Sequence, residues 1–218
     1  MTVADWIVRA DKQCFTFIQT HLTAAWLDPV MLLIRNPLTW IPLYAFLLYW
    51  ILRNDRKAAI RFILLSLIAV GLTDYTASTF LKPLFHRARP CYDPDVMGLL
   101  RGLINCGGLY SFPSNHATNH FCLAALWFGA VRTIKGKSWY WLWAWAGLIC
   151  FAQIYVGKHF PLDVLCGAMY GTAIGSGGAW VFRKWPQLIH FRWQKTAREA
   201  REPGITETAP RPAEYKPA

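Results

Sequence analysis

Charge is scarce in this chain, and acidic charge scarcer still. Only 16% of its 218 residues are charged, 12 acidic against 23 basic, where soluble domains carry about 25% charged residues. That shortage argues against a soluble globular domain. No internal repeat is present, which excludes a stacked array. No basic segment leads into a short apolar run with a small-residue cleavage site, so no cleaved signal peptide is expected. The net charge of +11 would suit nucleic acid if it formed an even basic surface. Here it is segregated between apolar stretches, so no nucleic-acid partner is expected.

What the chain has in quantity is apolar and aromatic material: 55% hydrophobic residues, 16% aromatic, and 12 tryptophans that suit interfacial belts. The expected class is an all-α, polytopic membrane helical bundle. Five stretches, about 40–52 (extended by 37–39), 60–81, 115–134, 139–156 and 161–182, approach the roughly 20 residues needed to cross about 30 Å of hydrocarbon. Residues 1–36 mix apolar and charged positions and predict an N-terminal interfacial helical segment. Residues 37–183 form the expected transmembrane core. Residues 184–218 form a basic cytoplasmic tail, and its last ~17 residues, rich in Pro and Thr, are expected to be disordered.

Fifteen of the 23 lysines and arginines fall on one side of a five-span bundle. That side is cytoplasmic by the positive-inside rule. The opposite side, periplasmic if the membrane is a bacterial plasma membrane, receives three polar patches at span ends: 82–90, 112–116 and 155–163.

These patches hold the residues of phosphoester chemistry: a nucleophile, an acid for the leaving oxygen, and cations around the equatorial oxygens. His159 and Asp163 supply a nucleophile and its orienting carboxylate. Phe160-Pro161 reads as an extended residue before a helix with proline at its first position, which places Asp163 one turn from the imidazole. A carboxylate on Nδ1 leaves Nε2 free to attack. Pro113-Ser114-Asn115-His116 opens a span whose N-terminus suits a phosphate; His116 would protonate the leaving group. Taken alone, Ser114 reads as an N-cap, Lys82 and Arg89 as snorkelling cations, and His120 as a polar residue within the bundle. Asp74 lies inside a span, where a carboxylate is costly. It shares a helical face with Ser78 and Lys82, which predicts a supporting role behind the phosphate site.

Lys82-x6-Arg89-Pro90, Pro113-Ser114-x-His116 and His159-x3-Asp163, in this order, resemble the type 2 phosphatidic acid phosphatases, membrane relatives of vanadium haloperoxidases and glucose-6-phosphatase. The resemblance covers about residues 37–182. It implies that His159 forms a phosphohistidine, Asp163 orients it and His116 is the general acid. Lys82, Arg89, Ser114 and the main chain near Asn115 would bind phosphate, without metal or cofactor. Two positions depart from that pattern. Asn115 stands where glycine is commonest. Ala152-Gln153 replaces the usual Ser-Arg, so a phosphate-binding cation is missing, with Lys158 the expected substitute as a point donor.

Cys91 and Cys106 flank the connection between the second and third spans on the expected outer side, so a disulfide is predicted there. The function expected is hydrolysis of a lipid phosphate or diphosphate from the bilayer, undecaprenyl diphosphate first. Phosphatidic acid, phosphatidylglycerol phosphate and a lipid A phosphate follow. A lipid phosphotransferase, or an impaired lipid-binding or transport homologue, are the alternatives.

Overall fold

A computed structural model describes residues 2–201, with side chains described through residue 186. The expectation of disorder at 202–218 lies outside the described residues. The chain divides into two units, Met1–Arg183 and Lys184–Ala218. The site lies in the first. Of the second, the described part is the end of a helix that reaches Arg201.

Among the described residues the chain is all-helical, with no strand beyond an isolated antiparallel bridge between Ala88 and Tyr110. Local chemistry starts each helix. Thr2 and Asp5 cap α1 (Val3–His21) reciprocally, each side chain accepting from the other's backbone N–H. Proline opens α2 (Asp28–Arg35) and α3 (Ile41–Asn54), where its missing N–H has no intrahelical acceptor to lose. A 3₁₀ turn, Pro37–Trp40, joins them. Asp55 caps α4 (Arg56–Thr76), its Oδ1 accepting from Ala58 N at 2.9 Å. This helix continues through a π turn at Ala77–Leu81 into α5 (Lys82–Phe85). A long connection with 3₁₀ turns at Pro90–Tyr92 and Met97–Leu99 leads to α6 (Asn115–Lys135). The last helices are α7 (Trp141–Tyr155) and α8 (Pro161–Arg201).

All five expected spans are therefore helices. By length and composition one of them, the continuous rod Arg56–Phe85, is fit to cross a bilayer, with a mean hydropathy of 1.7 over an 18-residue stretch. A second qualifies if Asp28–Arg35 and Pro37–Asn54, bent by 71°, count as one. The others score lower for physical reasons. At about 1.5 Å per residue the 15 residues of α7 are short, and α6 opens with Asn115, His116, Asn119 and His120, which face protein partners.

Helix α6 is central, packed between α4 and α7. Along α8, Gly167, Gly171 and Gly175 lie against α6 so closely that a Cβ at Gly171 would stand 2.1 Å from Thr118 O and one at Gly175 2.1 Å from Cys122 O. Small residues at four-residue spacing let two backbones touch, the usual device for helices without water between them. This contact sets the α6 N-terminus against the start of α8, where Ser114 N donates to Asp163 O at 3.1 Å. An aromatic cluster lies further along α6: Trp127 and Trp145 stack at 5.5 Å, with Tyr44 and Phe62 against Trp127. Both tryptophans are 5% exposed, so these two sit in the core and not in the belts expected from composition. The Nε1–H of Trp127 finds Ser66 Oγ at 2.9 Å, which makes its burial affordable.

The N-terminal stretch, expected as one helix, forms two. Phe15 of α1 packs edge-on to Phe160 at 5.1 Å, and Met31 of α2 is buried against Ala152, Tyr155 and Val156 of and just beyond α7. Both helices thus cover the end of the bundle that carries the polar patches.

Candidate active site

The first two patches meet because their loops pair. Ser111 N donates to Arg87 O at 2.7 Å and Arg89 N to Leu109 O at 3.1 Å, on either side of the Ala88–Tyr110 bridge. This short ladder, between the two arms of the single α5–α6 connection, presents Arg87 and Arg89 from one arm and Ser111 from the other. The third patch joins through α8, whose first turn brings Asp163 to the same place.

His159 and Asp163 are buried, 2% and 0% exposed. Sequence spacing predicted a carboxylate directly on Nδ1, and the geometry differs. His159 Nδ1 is 3.8 Å from Asp163 Oδ2, beyond hydrogen-bond reach. Ser111 Oγ lies between them, 3.1 Å from Nδ1 and 2.5 Å from Oδ2. The hydroxyl donates to the carboxylate and its lone pair accepts Nδ1–H, which fixes the tautomer with Nε2 unprotonated. Burial pushes the imidazole down to about 4, against the opposing pull of Asp163, with Arg89 and Lys82 adding to the depression. His159 is neutral at pH 7.

Asp163 is held from two further directions. Its Oδ1 accepts from Arg87 Nη1 at 2.8 Å, Oδ2 accepts from Phe160 N at 2.8 Å, and the Arg87 guanidinium stacks over Phe160 at 4.4 Å. The other arm of Arg87 pairs with Asp11 of α1, which also accepts from Leu162 N at 2.8 Å. Ser111 and Asp11 stand outside the residues the sequence singles out, and Arg87 only falls within the 82–90 patch. Each acts across a long sequence separation that no spacing rule reports.

The cations stand around this pair. Arg89 is anchored by Nε to Gly108 O, and its Nη1 is buried without a partner. Lys158 Nζ donates to Asn105 O at 3.0 Å and Cys106 O at 2.7 Å. Burial, then Arg89 and Arg35, lower its ammonium to about 8. Lys82 follows the π turn, within electrostatic reach of Arg89, Lys158 and Asp163. None of Lys82, Arg89 and Lys158 forms an ion pair among the described residues. Gln153, in the last turn of α7, is fully buried, and neither amide atom has a partner. Cys91 and Cys106 are bonded at 2.08 Å with Cα atoms 6.3 Å apart. Closing a loop of this length corresponds to about 3 kcal/mol in the chain-entropy treatment, and it fixes the carbonyl of Cys106 that Lys158 uses.

The remaining expected residues lie on α4 and at the start of α6. Ser114 is the N-cap of α6, accepting from Ala117 N at 3.4 Å. The Asn115 side chain turns to α4, donating to Asp74 Oδ1 and Ser78 Oγ, each at 2.7 Å. Asp74 also receives Asn119 at 3.1 Å, so its partners among the described residues are these two α6 amides, with no ion pair to Lys82. His116 lies in the first turn of α6, and its carbonyl is 2.8 Å from His120 Nδ1. His120 packs edge-on to Trp145 at 5.3 Å, a place inside the bundle.

An all-helical fold here brings together a buried histidine, an indirectly linked carboxylate and, among the described residues, cations without ion-pair partners. Residues 59–187 match the PAP2 superfamily, and the chain belongs to it. It is similar to a lipid A 4'-phosphatase of Porphyromonas gingivalis, 32% identical over 68% of this chain and 63% of that protein. It is also similar to an undecaprenyl-diphosphatase of Sulfolobus acidocaldarius, 32% identical over 62% and 59%. The chain thus spans about six-tenths of the length of these two curated relatives. In fold it resembles the transmembrane PAP2 type phosphatidylglycerolphosphate phosphatase of Bacillus subtilis, with a TM-score of 0.61 at 21% identity over 86% of this chain and 89% of that one.

Proposed function

We propose that this protein is a lipid phosphatase that acts through a phosphohistidine on His159. The observation that carries the reading is the His159–Ser111–Asp163 array beside Arg89, whose Nη1 is buried and unpartnered. In the proposed first step Nε2 attacks phosphorus, the Nε2–P bond forms and the P–O bond to the lipid breaks. His116 gives its proton to the departing oxygen. The positive charge that develops on the imidazole is met through Ser111 by Asp163, which stays ionised because Arg87 and Phe160 N hold it. Arg89, Lys82 and Lys158 face the charge on the phosphoryl oxygens, as an electrostatic clamp must. In the second step His116 takes a proton from water as its oxygen attacks phosphorus, and Nε2 leaves.

The substrate proposed is an amphiphile whose phosphate reaches the polar end while its chains stay in the bilayer. Many large side chains on the outside of the bundle are apolar and exposed, among them Leu67, Ile68, Leu165 and Met169, which suits immersion in lipid. The Porphyromonas relative favours a lipid A phosphate and the Sulfolobus relative undecaprenyl diphosphate. The segregation of basic residues supports five crossings of the plasma membrane with the site on the outer face, and a cytoplasmic C-terminal segment. The test is phosphate release by detergent-solubilised protein from a panel of lipid A, undecaprenyl diphosphate and phosphatidylglycerol phosphate, with chelator present. Release from at least one lipid, abolished in His159→Asn, is expected. No release from any, or turnover retained by His159→Asn, overturns the reading.

A further inference from the structure

The resemblance to the type 2 phosphatidic acid phosphatases implies an arginine where Gln153 stands, yet a guanidinium reaches the same region from another helix. Helix α2 runs antiparallel along α7. Asp28 accepts from Tyr155 Oη at 2.7 Å, Met31 is buried against Ala152, and Trp40, just past the helix, meets Trp145 at 5.9 Å. Arg35 falls between the last two contacts, one turn beyond Met31 on the same face. That level of α7 is one turn from Gln153. It is also the level of the first turn of α6, since His120 lies against Trp145 and His116 is one turn from His120. Arg35 is within electrostatic reach of both His116 and Lys158.

Arg35 is half-buried, and its Nε has neither solvent nor a hydrogen-bond partner. No carboxylate pairs with it among the described residues. A buried Nε–H without a partner is costly, and the cost repeats at Arg89 Nη1 and at both amide atoms of Gln153. Three unpartnered donor groups from α2, α7 and the α5–α6 connection in one region are what an oxyanion of about the size of phosphate would satisfy.

We propose that Arg35 is a phosphate-binding residue of this site, supplying from α2 the forked cation that an arginine at position 153 would otherwise give, with Gln153 as a neutral co-donor. Lys158 is then the lesser substitute, because two of its three N–H groups are already given to the carbonyls of Asn105 and Cys106. A guanidinium also offers the bidentate geometry that an ammonium lacks.

The proposal rests on the phosphatase reading for its substrate, so the test has two readouts: kcat/KM for lipid phosphate, and stabilisation of the solubilised protein by orthovanadate. Arg35→Gln is expected to lower kcat/KM by about 10²-fold, within the worth of one oxyanion donor, and to abolish most of the vanadate-dependent rise in Tm. Arg35→Lys should fall between. Gln153→Arg placed in the Arg35→Gln background should recover at least about tenfold, since the two positions serve one ligand. Arg35→Gln that stays within twofold of the parent in both readouts overturns the proposal. So does a double variant with no recovery in either readout. If Arg35→Gln does not fold, Arg35→Lys decides: unchanged vanadate stabilisation together with lowered Tm without vanadate means a structural residue and sinks the idea. If the parent releases phosphate from no lipid but is stabilised by vanadate in an Arg35-dependent way, the phosphatase reading fails while Arg35 stands as an oxyanion ligand.

Discussion

His159 Nδ1 and Asp163 Oδ2 stand 3.8 Å apart, with the hydroxyl of Ser111 bonded to both. The carboxylate therefore orients the imidazole through an intermediary, and the tautomer depends on a residue that makes no contact with substrate in the proposed reaction.

Ser111→Ala removes the intermediary and leaves a buried Nδ1–H without its acceptor. Leaving such a group unsatisfied costs about 1–3 kcal/mol. The kcat should fall by about ten- to a hundredfold with KM little changed. Steady-state kinetics on the preferred lipid measure this, and an unaltered kcat would show that Asp163 reaches Nδ1 unaided. Ser111→Thr, which keeps the hydroxyl, should retain more activity than the alanine variant.

Arg87 is bound between Asp11 and Asp163, so α1 is part of the support of the Asp163 carboxylate. Arg87→Gln strands two buried acids, and breaking a buried pair in this way costs about 3–5 kcal/mol. Asp11→Asn is expected to be milder and strongly non-additive with Arg87→Gln. A double-mutant cycle on thermal or denaturant stability in detergent reads the coupling. Additive effects would show that the Asp11 contact is dispensable.

The α6–α8 contact makes a prediction with its own control. A Cβ at Gly171 would sit 2.1 Å from Thr118 O, whereas one at Gly177 meets nothing within 4 Å. Gly171→Ala should therefore lower Tm, overpacking typically costing about 1–3 kcal/mol. It should lower activity as well, because it separates the helix carrying His116 from that carrying Asp163. Gly177→Ala should be neutral or slightly stabilising, as alanine is the better helix former. Equal behaviour of the two variants would contradict the close packing.

Acid sensitivity follows from the buried histidine. The His159 imidazole is depressed to about 4 in the folded protein, against about 6.5 in an unfolded chain. Between those values the unfolded chain holds the extra proton, so stability rises with pH across the window. The contribution is full above about 6.5 and is lost as pH falls towards about 4. Thermal midpoints between pH 7 and 4.5 should drop less steeply for His159→Asn than for the parent. Parallel slopes would mean that His159 already binds its proton in the folded state.

Much of this site was legible in sequence because its residues sit at the ends of apolar segments, and alternate ends of antiparallel helices share a side. Lys82, Arg89, His116, His159 and Asp163 were found that way. Ser111, Asp11 and Arg35 were not, since their roles come from tertiary contacts. Asp11 meets Leu162 across 151 positions, and Arg35 is brought to α7 by a short helix with no motif of its own. The π turn at Ala77–Leu81 was equally invisible, although Asp74 and Ser78 share one face as the spacing implied, both accepting from Asn115. Composition located tryptophan at interfaces, but only packing reveals that Trp127 and Trp145 stack inside the bundle.

The central claim is a covalent bond between phosphorus and His159 Nε2. Rapid alkaline quench of the protein turning over a ³²P-labelled lipid phosphate, followed by peptide mapping, tests it directly. The account predicts acid-labile, alkali-stable label on the peptide containing His159, absent from His159→Asn. Turnover at the same rate with no label, or label on any other residue, would contradict it.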